Sequence, residues 1–263
     1  MDYNLKNKNV LVTAASAGIG KAIAQLFIEE GANVAICSSN STNIENAANE
    51  LFTNLNIKPY QLVCDINKKE DIQKTVEKVI QNFGSIDILI NNCGGPVAGF
   101  FDSLDDTNWQ HAFEQVLMSA VRFTRLILPY MKKNKWGRII NITSLSVKQP
   151  VDNLILSNTF RSGLTAFAKT ISNQLGNFNI TINNVAPGYT LTGRLERLAE
   201  IKAKEFQSTK EEILKKMADD VPLKRLGKPE ELASLVVYLA SDLAGYINGQ
   251  TITVDGGLVK GTY

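Results

Sequence analysis

The sequence is poor in the residues from which metal sites and disulfide frameworks are built. It contains one histidine and three cysteines among 263 residues. Cys37, Cys64 and Cys93 are too far apart in the sequence to form a metal-ligand pair, and an odd number of cysteines does not suit a disulfide framework. We therefore predict no metal site, and we expect the three thiols to be reduced and to lie at the ends of buried strands.

The sequence also lacks an excess of one charge and a long hydrophobic run. It has 28 Lys and Arg against 26 Asp and Glu, a formal net charge of +2, which gives no reason to expect a nucleic-acid or membrane-surface partner. No apolar run approaches the length of a membrane span, and the first residues contain no apolar signal-peptide core. We expect a cytoplasmic protein.

What the sequence does contain is an alternation of short apolar runs with longer amphipathic segments. Apolar runs separated by helical patterns are typical of βαβ units, in which helices cover both faces of a parallel sheet. We predict one Rossmann-type α/β domain over residues 1–263, with a doubly wound parallel sheet of about seven strands in three α/β/α layers. The predicted strands are 9–13, 33–37, 58–64, 86–90, 137–142, 180–185 and 251–254, and the clearest helices are 19–30, 71–83 and 109–133.

The most polar segment of the chain, residues 194–220, is dense in Lys and Glu and follows a Pro-Gly turn. We interpret it as a helical excursion away from the sheet. Its charges are typical of a solvated helix face, but an excursion beside a ligand cleft could also be a substrate lid.

The first chemical motif lies between the first predicted strand and helix, where residues 13–20 read TAASAGIG. This is a variant of the glycine fingerprint that binds a dinucleotide pyrophosphate, because small residues let the backbone approach the anion and a helix N-terminus offers free N–H groups. Ala14 stands at the first glycine position, and we expect it to fit there only with a negative φ. The alternative is a tight turn without a ligand.

Further motifs follow in a characteristic order. Asp65 ends the third predicted strand, NNCG at 91–94 follows the fourth and NNVAPG at 183–188 the sixth, with LKRLGKPEE at 223–231 and DGG at 255–257 near the end. From about residue 5 to residue 258, this set is similar to the short-chain dehydrogenase/reductase family, especially its 3-oxoacyl-acyl-carrier-protein reductase-like branch. The resemblance implies a cofactor cleft at the carboxyl ends of the strands.

The resemblance also assigns roles within that cleft. Ser16 would line the pyrophosphate, Asp65 would bind the adenine, and Asn91 would lie near its ribose. For Asp65 and Asn91, strand-end capping and turn formation is the alternative. The cofactor residues that we predict are Thr13, Ser16, Gly18, Ile19, Gly20, Ser38, Ser39, Asp65, Asn91, Gly94, Arg161, Pro187, Gly188 and Thr192, of which Pro187, Gly188 and Thr192 would flank the nicotinamide.

The end of the second strand decides between NAD and NADP. An acidic residue there would bind the ribose 2′-hydroxyl of NAD, but residues 38–41 are Ser, Ser, Asn and Ser. Lys21 lies in the nearby helix, whereas the arginine typical of NADP-binding members is replaced by Ser39. We predict NADP as the cofactor, with NAD as the alternative.

The catalytic positions depart from the family pattern. Members that reduce carbonyls carry a Ser, a Tyr, a Lys four residues after the Tyr, and an Asn. Here only Ser144 is retained, since Ser157 and Arg161 stand at the Tyr and Lys positions and Val116 at that of the Asn. The spacing keeps Ser157 and Arg161 on one helix face, but a serine hydroxyl is a much weaker acid than a phenol, and arginine does not release its proton.

The usual proton relay therefore does not transfer to this chain. Tyr189, beside the Pro-Gly turn, is the best substitute acid, and an apolar contact in the cleft is the alternative reading of its position. Lys148 and Asp152 are further candidates or simply loop charges, and we expect His111 on the surface. The catalytic residues that we predict are Ser144, Ser157, Arg161 and Tyr189.

Three functions are compatible with these motifs. The first is an NAD(P)-dependent oxidoreductase that acts on a small carbonyl or alcohol with a non-standard proton donor. The alternatives are a dinucleotide-binding sensor or partner subunit without hydride transfer, and a scaffold that binds no nucleotide. The resemblance further suggests a homotetramer in which helices 109–133 and 153–175 pair between subunits. The side chains available for that pairing, or for the sheet face, are Val116, Leu117, Val121, Phe160, Leu164 and Phe167.

Overall fold

The computed structural model describes residues 2–262, and its centre is one sheet of seven parallel strands. The strand order is β3-β2-β1-β4-β5-β6-β7, so the winding direction reverses between β1 and β4. Doubly wound sheets bind their ligands at such a reversal. The strands are β1 (Asn9–Val12), β2 (Asn33–Ser38), β3 (Tyr60–Val63), β4 (Ile88–Asn91), β5 (Gly137–Ile142), β6 (Ile180–Pro187) and β7 (Thr251–Val254).

Helices cover both faces of this sheet and complete the three layers. On one face, α1, α2 and α9 pack through side chains such as Ile23, Ile44 and Val236, and on the other, α3, α5 and α6 pack through Val76, Phe123 and Ala168. The predicted fold is thereby confirmed. The helices are α1 (Gly18–Glu29), α2 (Ser41–Leu55), α3 (Lys69–Phe83), α4 (Asp106–Ala112), α5 (Ser119–Asn134), α6 (Ile155–Leu175), α7 (Gly193–Glu205), α8 (Lys210–Asp220) and α9 (Pro229–Ala240).

The helix predicted over 109–133 is helical throughout but is not a regular α-helix along its whole length. A π-helical segment, Phe113–Met118, separates α4 from α5. At its end the Ser119 N–H donates to the Glu114 carbonyl, five residues back, and the Ser119 hydroxyl donates to the Gln115 carbonyl at 2.6 Å. The extra residue in this turn displaces the side chains that follow it, which a periodicity of 3.6 residues does not anticipate.

The polar segment 194–220 forms α7 and α8, a helical pair beyond the sheet. Thr192 caps α7 and Thr209 caps α8, each through its side-chain oxygen. The two helices share a small apolar cluster of their own, formed by Leu195, Ala199, Ala203, Ile213 and Met217. The excursion thus has the predicted helical form, while its use as a lid stays a prediction.

The side chains predicted for subunit pairing divide into two groups. Val116 and Leu164 are buried within the chain, whereas Leu117, Val121, Phe160 and Phe167 keep part of their surface exposed. The tetramer stays a prediction that rests on those four. Over residues 2–262, no helix is both long enough and apolar enough to cross a membrane.

Candidate functional site

A cavity of about 260 Å³ opens at the carboxyl ends of the strands, next to the reversal of the winding direction. Loops after β4, β5 and β6 line it together with α6 and α7. All four predicted catalytic residues meet there, although they come from three separate places in the sequence: the loop after β5, helix α6 and the loop after β6. The predicted residues that line the cavity are Ile19, Ser144, Ser157, Arg161, Pro187, Gly188, Tyr189 and Thr192.

The remaining predicted cofactor residues do not line this cavity. They lie along the same edge of the sheet, in the β1–α1 turn and the first turn of α1, and at or just beyond the ends of β2, β3 and β4. This second set is Thr13, Ser16, Gly18, Gly20, Ser38, Ser39, Asp65, Asn91 and Gly94.

The β1–α1 turn corrects our expectation for Ala14. Its φ is +47°, in the left-handed region, so the expectation of a negative φ was wrong. The turn is fixed by Asn92, whose side-chain amide donates to the Ala14 carbonyl at 3.1 Å. Thr13 holds Asn92 in turn, because its hydroxyl donates to the Asn92 carbonyl at 2.6 Å and accepts from the Asn92 N–H at 2.8 Å. The surrounding hydrogen bonds thus hold an alanine where glycine is the unstrained residue.

The start of α1 has no room for a side chain at Gly20. A Cβ there would lie 2.6 Å from the Ala14 carbonyl oxygen and 2.9 Å from the Ala15 Cα, both of which are backbone atoms. Ala17 precedes the helix without a side-chain cap, so the first N–H groups of α1 are left for an external acceptor. This combination of close backbone and uncapped N–H groups suits a pyrophosphate.

Near the end of β2, two polar side chains already have partners within the protein. The Asn40 side chain caps α2 by accepting from the Asn43 N–H at 2.8 Å, and Lys21 pairs with Glu50 at 2.5 Å. Ser38 is half-buried and Ser39 is exposed. These two serines are therefore the hydroxyl groups best placed to contact a ligand at this end.

The side chain of Asn91 lies within a hydrogen-bonded row that the sequence did not reveal. Its amide donates to Asn141 Oδ1 at 2.9 Å, Asn141 donates to Asn184 Oδ1 at 2.9 Å, and Asn184 donates to Thr251 Oγ1 at 3.1 Å. We call these four residues the amide row. It crosses β4 to β7, and polar residues inside otherwise apolar strands were the signal for it. These bonds are neither strand-end capping nor turn formation, and a place for Asn91 near the ribose stays a prediction.

Asp65 also makes the turn-type contacts that we named as its alternative. Its Oδ1 accepts from the backbone N–H of Asn67 at 3.1 Å and from the side-chain amide of the same residue at 2.9 Å. Lys68 lies 3.7 Å from its other carboxylate oxygen. A contact from Asp65 to adenine stays a prediction.

Ser157 and Arg161 are both buried on α6, with 7% and 6% of their surface exposed. Arg161 donates from Nη1 to the Ile142 carbonyl at the end of β5, at 2.7 Å, and its Nη2 lies 3.8 Å from Cys93 Sγ. Ser144 follows β5, and its hydroxyl oxygen accepts from the Ser146 N–H at 3.1 Å. The arginine is therefore held in place by backbone, and the two serines lie with it in the wall of the cavity.

Arg194 and Cys93 are cavity residues that we missed. Arg194 lies in the first turn of α7 and donates from Nη1 to the Gly95 carbonyl at 2.9 Å. Although the residue is exposed overall, burial of its guanidinium lowers the pKa, and the nearby Arg161 lowers it further. Its place two residues after Thr192 was the available signal. Cys93 is only half-buried, so our expectation of three buried thiols is correct for Cys37 and Cys64 alone.

Val116, which alignment through Trp109 places at the asparagine position, lies in the π-helical segment next to Gln115. Val116 is buried in the core and carries no polar group. Its neighbour Gln115 has a buried Oε1 without a hydrogen-bond partner in the described part of the chain, and its Nε2 lies 3.4 Å from where a Cβ on Gly94 would be. The π-helical segment thus places a side-chain amide, rather than valine, beside the loop after β4.

Tyr189 is half-buried at the cavity, and burial raises the pKa of its phenol, with a smaller contribution from Asp220. The phenol is therefore protonated at neutral pH and available as a proton donor. Lys148 and Asp152 are exposed and do not line the cavity, and His111 is exposed as expected.

The chain is similar to known reductases along almost its whole length. A family profile described as enoyl-(acyl carrier protein) reductase matches residues 13–259. The 3-oxoacyl-[acyl-carrier-protein] reductase FabG of Thermotoga maritima is 33% identical over 255 residues, which cover 97% of this chain and 99% of that protein. The NADPH-dependent reductase BacG of Bacillus subtilis is 32% identical over 257 residues, covering 97% and 99%.

A solved structure matches along almost the whole chain as well. L-sorbose reductase from Gluconobacter frateurii, in complex with NADPH and L-sorbose, superposes with a TM-score of 0.95 at 32% identity. The match covers 99% of this chain and 100% of that one. At this level of identity and coverage the likeness extends beyond the fold to the family.

Proposed function

Because the chain belongs to the short-chain dehydrogenase/reductase family of NAD(P)-dependent oxidoreductases, we propose that it reduces a small carbonyl compound with NADPH and a proton donor other than a tyrosine on α6. The observation that carries this proposal is the meeting of Ser144, Ser157, Arg161 and Tyr189 around one cavity. Ile19, in the first turn of α1, lines that cavity. The cavity therefore adjoins the turn between β1 and α1, residues 13–20, which we call the dinucleotide turn.

NADP is supported from two sides. The sorbose reductase structure contains NADPH, and BacG is named as NADPH-dependent. In this chain, Ser38 is the last residue of β2 and Ser39 follows it. An acidic residue at this place would repel the 2′-phosphate of NADP, and neither serine does so. The uncapped start of α1 and the crowded Gly20 fit the pyrophosphate.

A bound nicotinamide supplies the hydride that is added to the carbonyl carbon. Arg161 is placed to bind ribose hydroxyls, since its Nη1 is anchored on the Ile142 carbonyl and the rest of the guanidinium adjoins the cavity. Ser144 and Ser157 can donate hydrogen bonds to the carbonyl oxygen, whose negative charge grows as the hydride arrives. The oxygen then needs one proton to become a hydroxyl group.

Tyr189 is our candidate for that proton donor. Its O–H would release a proton to the substrate oxygen, and the resulting phenolate would recover a proton from water. Since burial raises its pKa, the phenol is a weaker acid than a catalytic tyrosine assisted by lysine. Reduction should consequently be slow, because general acid catalysis contributes about 10²- to 10⁴-fold and works best with a well-matched pKa.

The test is Tyr189→Phe, followed by NADPH absorbance with a panel of carbonyl compounds. We expect kcat to fall about 100-fold or more while the Kd for NADPH, measured by its fluorescence, stays the same. Tyr130→Phe is the matched control, because Tyr130 is exposed on α5 outside the cavity. An unchanged kcat in Tyr189→Phe would exclude this donor. NADPH binding without turnover in the parent protein would instead favour the sensor alternative, and no NADPH binding would favour the scaffold.

The pH profile provides a second readout. A donor whose pKa is raised above 10 stays protonated throughout the neutral range and beyond it. The rate of reduction should therefore show no decline due to donor ionisation up to about pH 9, roughly one unit below the ordinary pKa of tyrosine. A decline with a midpoint near neutrality would point to a different donor.

A further inference from the structure

The cavity has positive charge and no acidic partner for it. Arg161, Arg194 and Lys202 are among its lining residues, and no Asp or Glu is. Elsewhere in residues 2–262 arginines do find carboxylates, as Arg138 does with Asp242 and Arg225 with Glu231. Neither Arg161 nor Arg194 is part of any ion pair in that range. Arg161 is buried, whereas Arg194 keeps part of its surface exposed. A buried charge is normally paired, so the cavity is short of an anion.

The position of Arg194 is specifically accommodated by the loop after β4. Its Nη2 lies only 2.0 Å from where a Cβ on Gly95 would be, so a side chain at this position would collide with the guanidinium. One of its nitrogens is held by the Gly95 carbonyl. Arg161 is close enough to lower the pKa of Arg194, which means that two like charges are kept together at a cost. A bound anion would remove that cost.

The surroundings of the two guanidinium groups favour an organic anion. The cavity wall includes apolar residues from four segments, which suit a hydrocarbon group: Pro96, Ala98, Val151, Leu154, Leu198 and Met217. The pyrophosphate already has a suitable place at the start of α1, where N–H groups are uncapped. A carboxylate matches the planar guanidinium group and accepts two parallel hydrogen bonds from it.

We propose that Arg194 binds a carboxylate of the substrate and that Arg161, in the same cavity, adds positive charge to this site. The protein then acts on oxo acids or the corresponding hydroxy acids. The proposal rests on the reductase function proposed above for its reaction, but the carboxylate site itself can be tested by binding alone. Arg194 is then a specificity-determining residue on α7, and the helical excursion carries part of the substrate site.

The experiment compares two probes that differ in charge and share a ketone, benzoylformate and methyl benzoylformate. With NADPH present, we expect the KM or Kd for benzoylformate to be about 10- to 100-fold lower than for the ester. Arg194→Gln should abolish this preference, and Arg194→Lys should restore part of it because a point charge remains. Arg197→Gln is the matched control, since Arg197 lies exposed on the same helix and does not line the cavity.

Titration of NADPH fluorescence separates a substrate site from a cofactor site. If Arg194→Gln weakens NADPH binding more than about 10-fold and affects both probes equally, the arginine holds a cofactor phosphate and the proposal is overturned. It is also overturned if the parent protein treats both probes alike, although reduction of both would leave the reductase function intact. If neither probe is reduced but calorimetry shows binding of benzoylformate that Arg194→Gln removes, the carboxylate site stands while the reductase function fails.

Discussion

The dinucleotide turn and the catalytic helix are built from different parts of the chain. At the start of α1 the binding surface is backbone, and the important property of Gly20 is that it has no side chain. On α6 the proposed chemistry is carried by side chains, Ser157 and Arg161, which we predict at the positions of a tyrosine and a lysine on a helix of regular course. A site made of backbone survives sequence change as long as the turn closes. A site made of side chains changes its chemistry with single substitutions.

The amide row connects these two regions. It runs from Asn91, the last residue of β4, to Thr251, the first residue of β7. The strands β4, β5 and β6 that it crosses are followed by the loops that line the cavity. Asn141 is its central member and is completely buried. The relative placement of cofactor turn and catalytic loops therefore depends on a few internal amides as well as on backbone ladders.

Replacement of Asn141 should have the largest effect of the changes considered below. In Asn141→Leu, the Asn91 amide loses its partner at 2.9 Å and keeps only Thr124 Oγ1 at 3.4 Å. Asn184 Oδ1 loses its donor, and both groups are buried. Each unpaired buried group costs about 1–3 kcal/mol, so we expect the free energy of unfolding to fall by about 2–5 kcal/mol. Chemical denaturation measures this. Asn49→Leu, on the exposed side of α2, should change it by less than about 0.5 kcal/mol. An equally small change in Asn141→Leu would contradict a structural role for the row.

Gly20→Ala tests the region made of backbone. The new Cβ would lie 2.6 Å from the Ala14 carbonyl oxygen, so the turn must shift. We expect a loss of about 1–3 kcal/mol in stability and a marked weakening of NADPH binding, measured by denaturation and fluorescence titration. Gly176→Ala is the control, because nothing lies within 4 Å of its new Cβ and its φ of −55° suits alanine. If both variants bind NADPH equally well, close backbone approach at Gly20 is not what forms the site.

Much of the fold was predictable because it follows from apolar periodicity. The runs at 137–142 and 251–254 coincide with β5 and β7, each of which ends where an apolar residue is followed by a polar one. The π-helical segment was not predictable, since the pattern around Trp109 is that of a regular helix and the extra residue depends on local hydrogen bonds.

The candidate site was predictable in part for a related reason. Motif spacing located Ser144, Ser157, Arg161 and Tyr189, and these residues do meet at one cavity. Arg194 was missed because residues 194–220 were interpreted as a solvated surface from composition alone. Which charge of a polar helix faces a cavity depends on how that helix packs, and composition does not contain this information.

The smallest expected effect is at Ala14, where the dinucleotide turn departs from its own pattern. Ala14→Gly should relieve the left-handed backbone at φ +47° and raise stability by about 1 kcal/mol, a shift of roughly 2–3 °C in Tm. Ala17→Gly should lower the Tm or leave it unchanged, because Ala17 has an extended φ of −162° that suits alanine. Each variant removes one methyl group, at positions three residues apart. The difference between their Tm values therefore reports the backbone strain at Ala14. A lower Tm in both would show that Ala14 is not strained, and that the hydrogen bonds from Asn92 have adapted the turn to alanine.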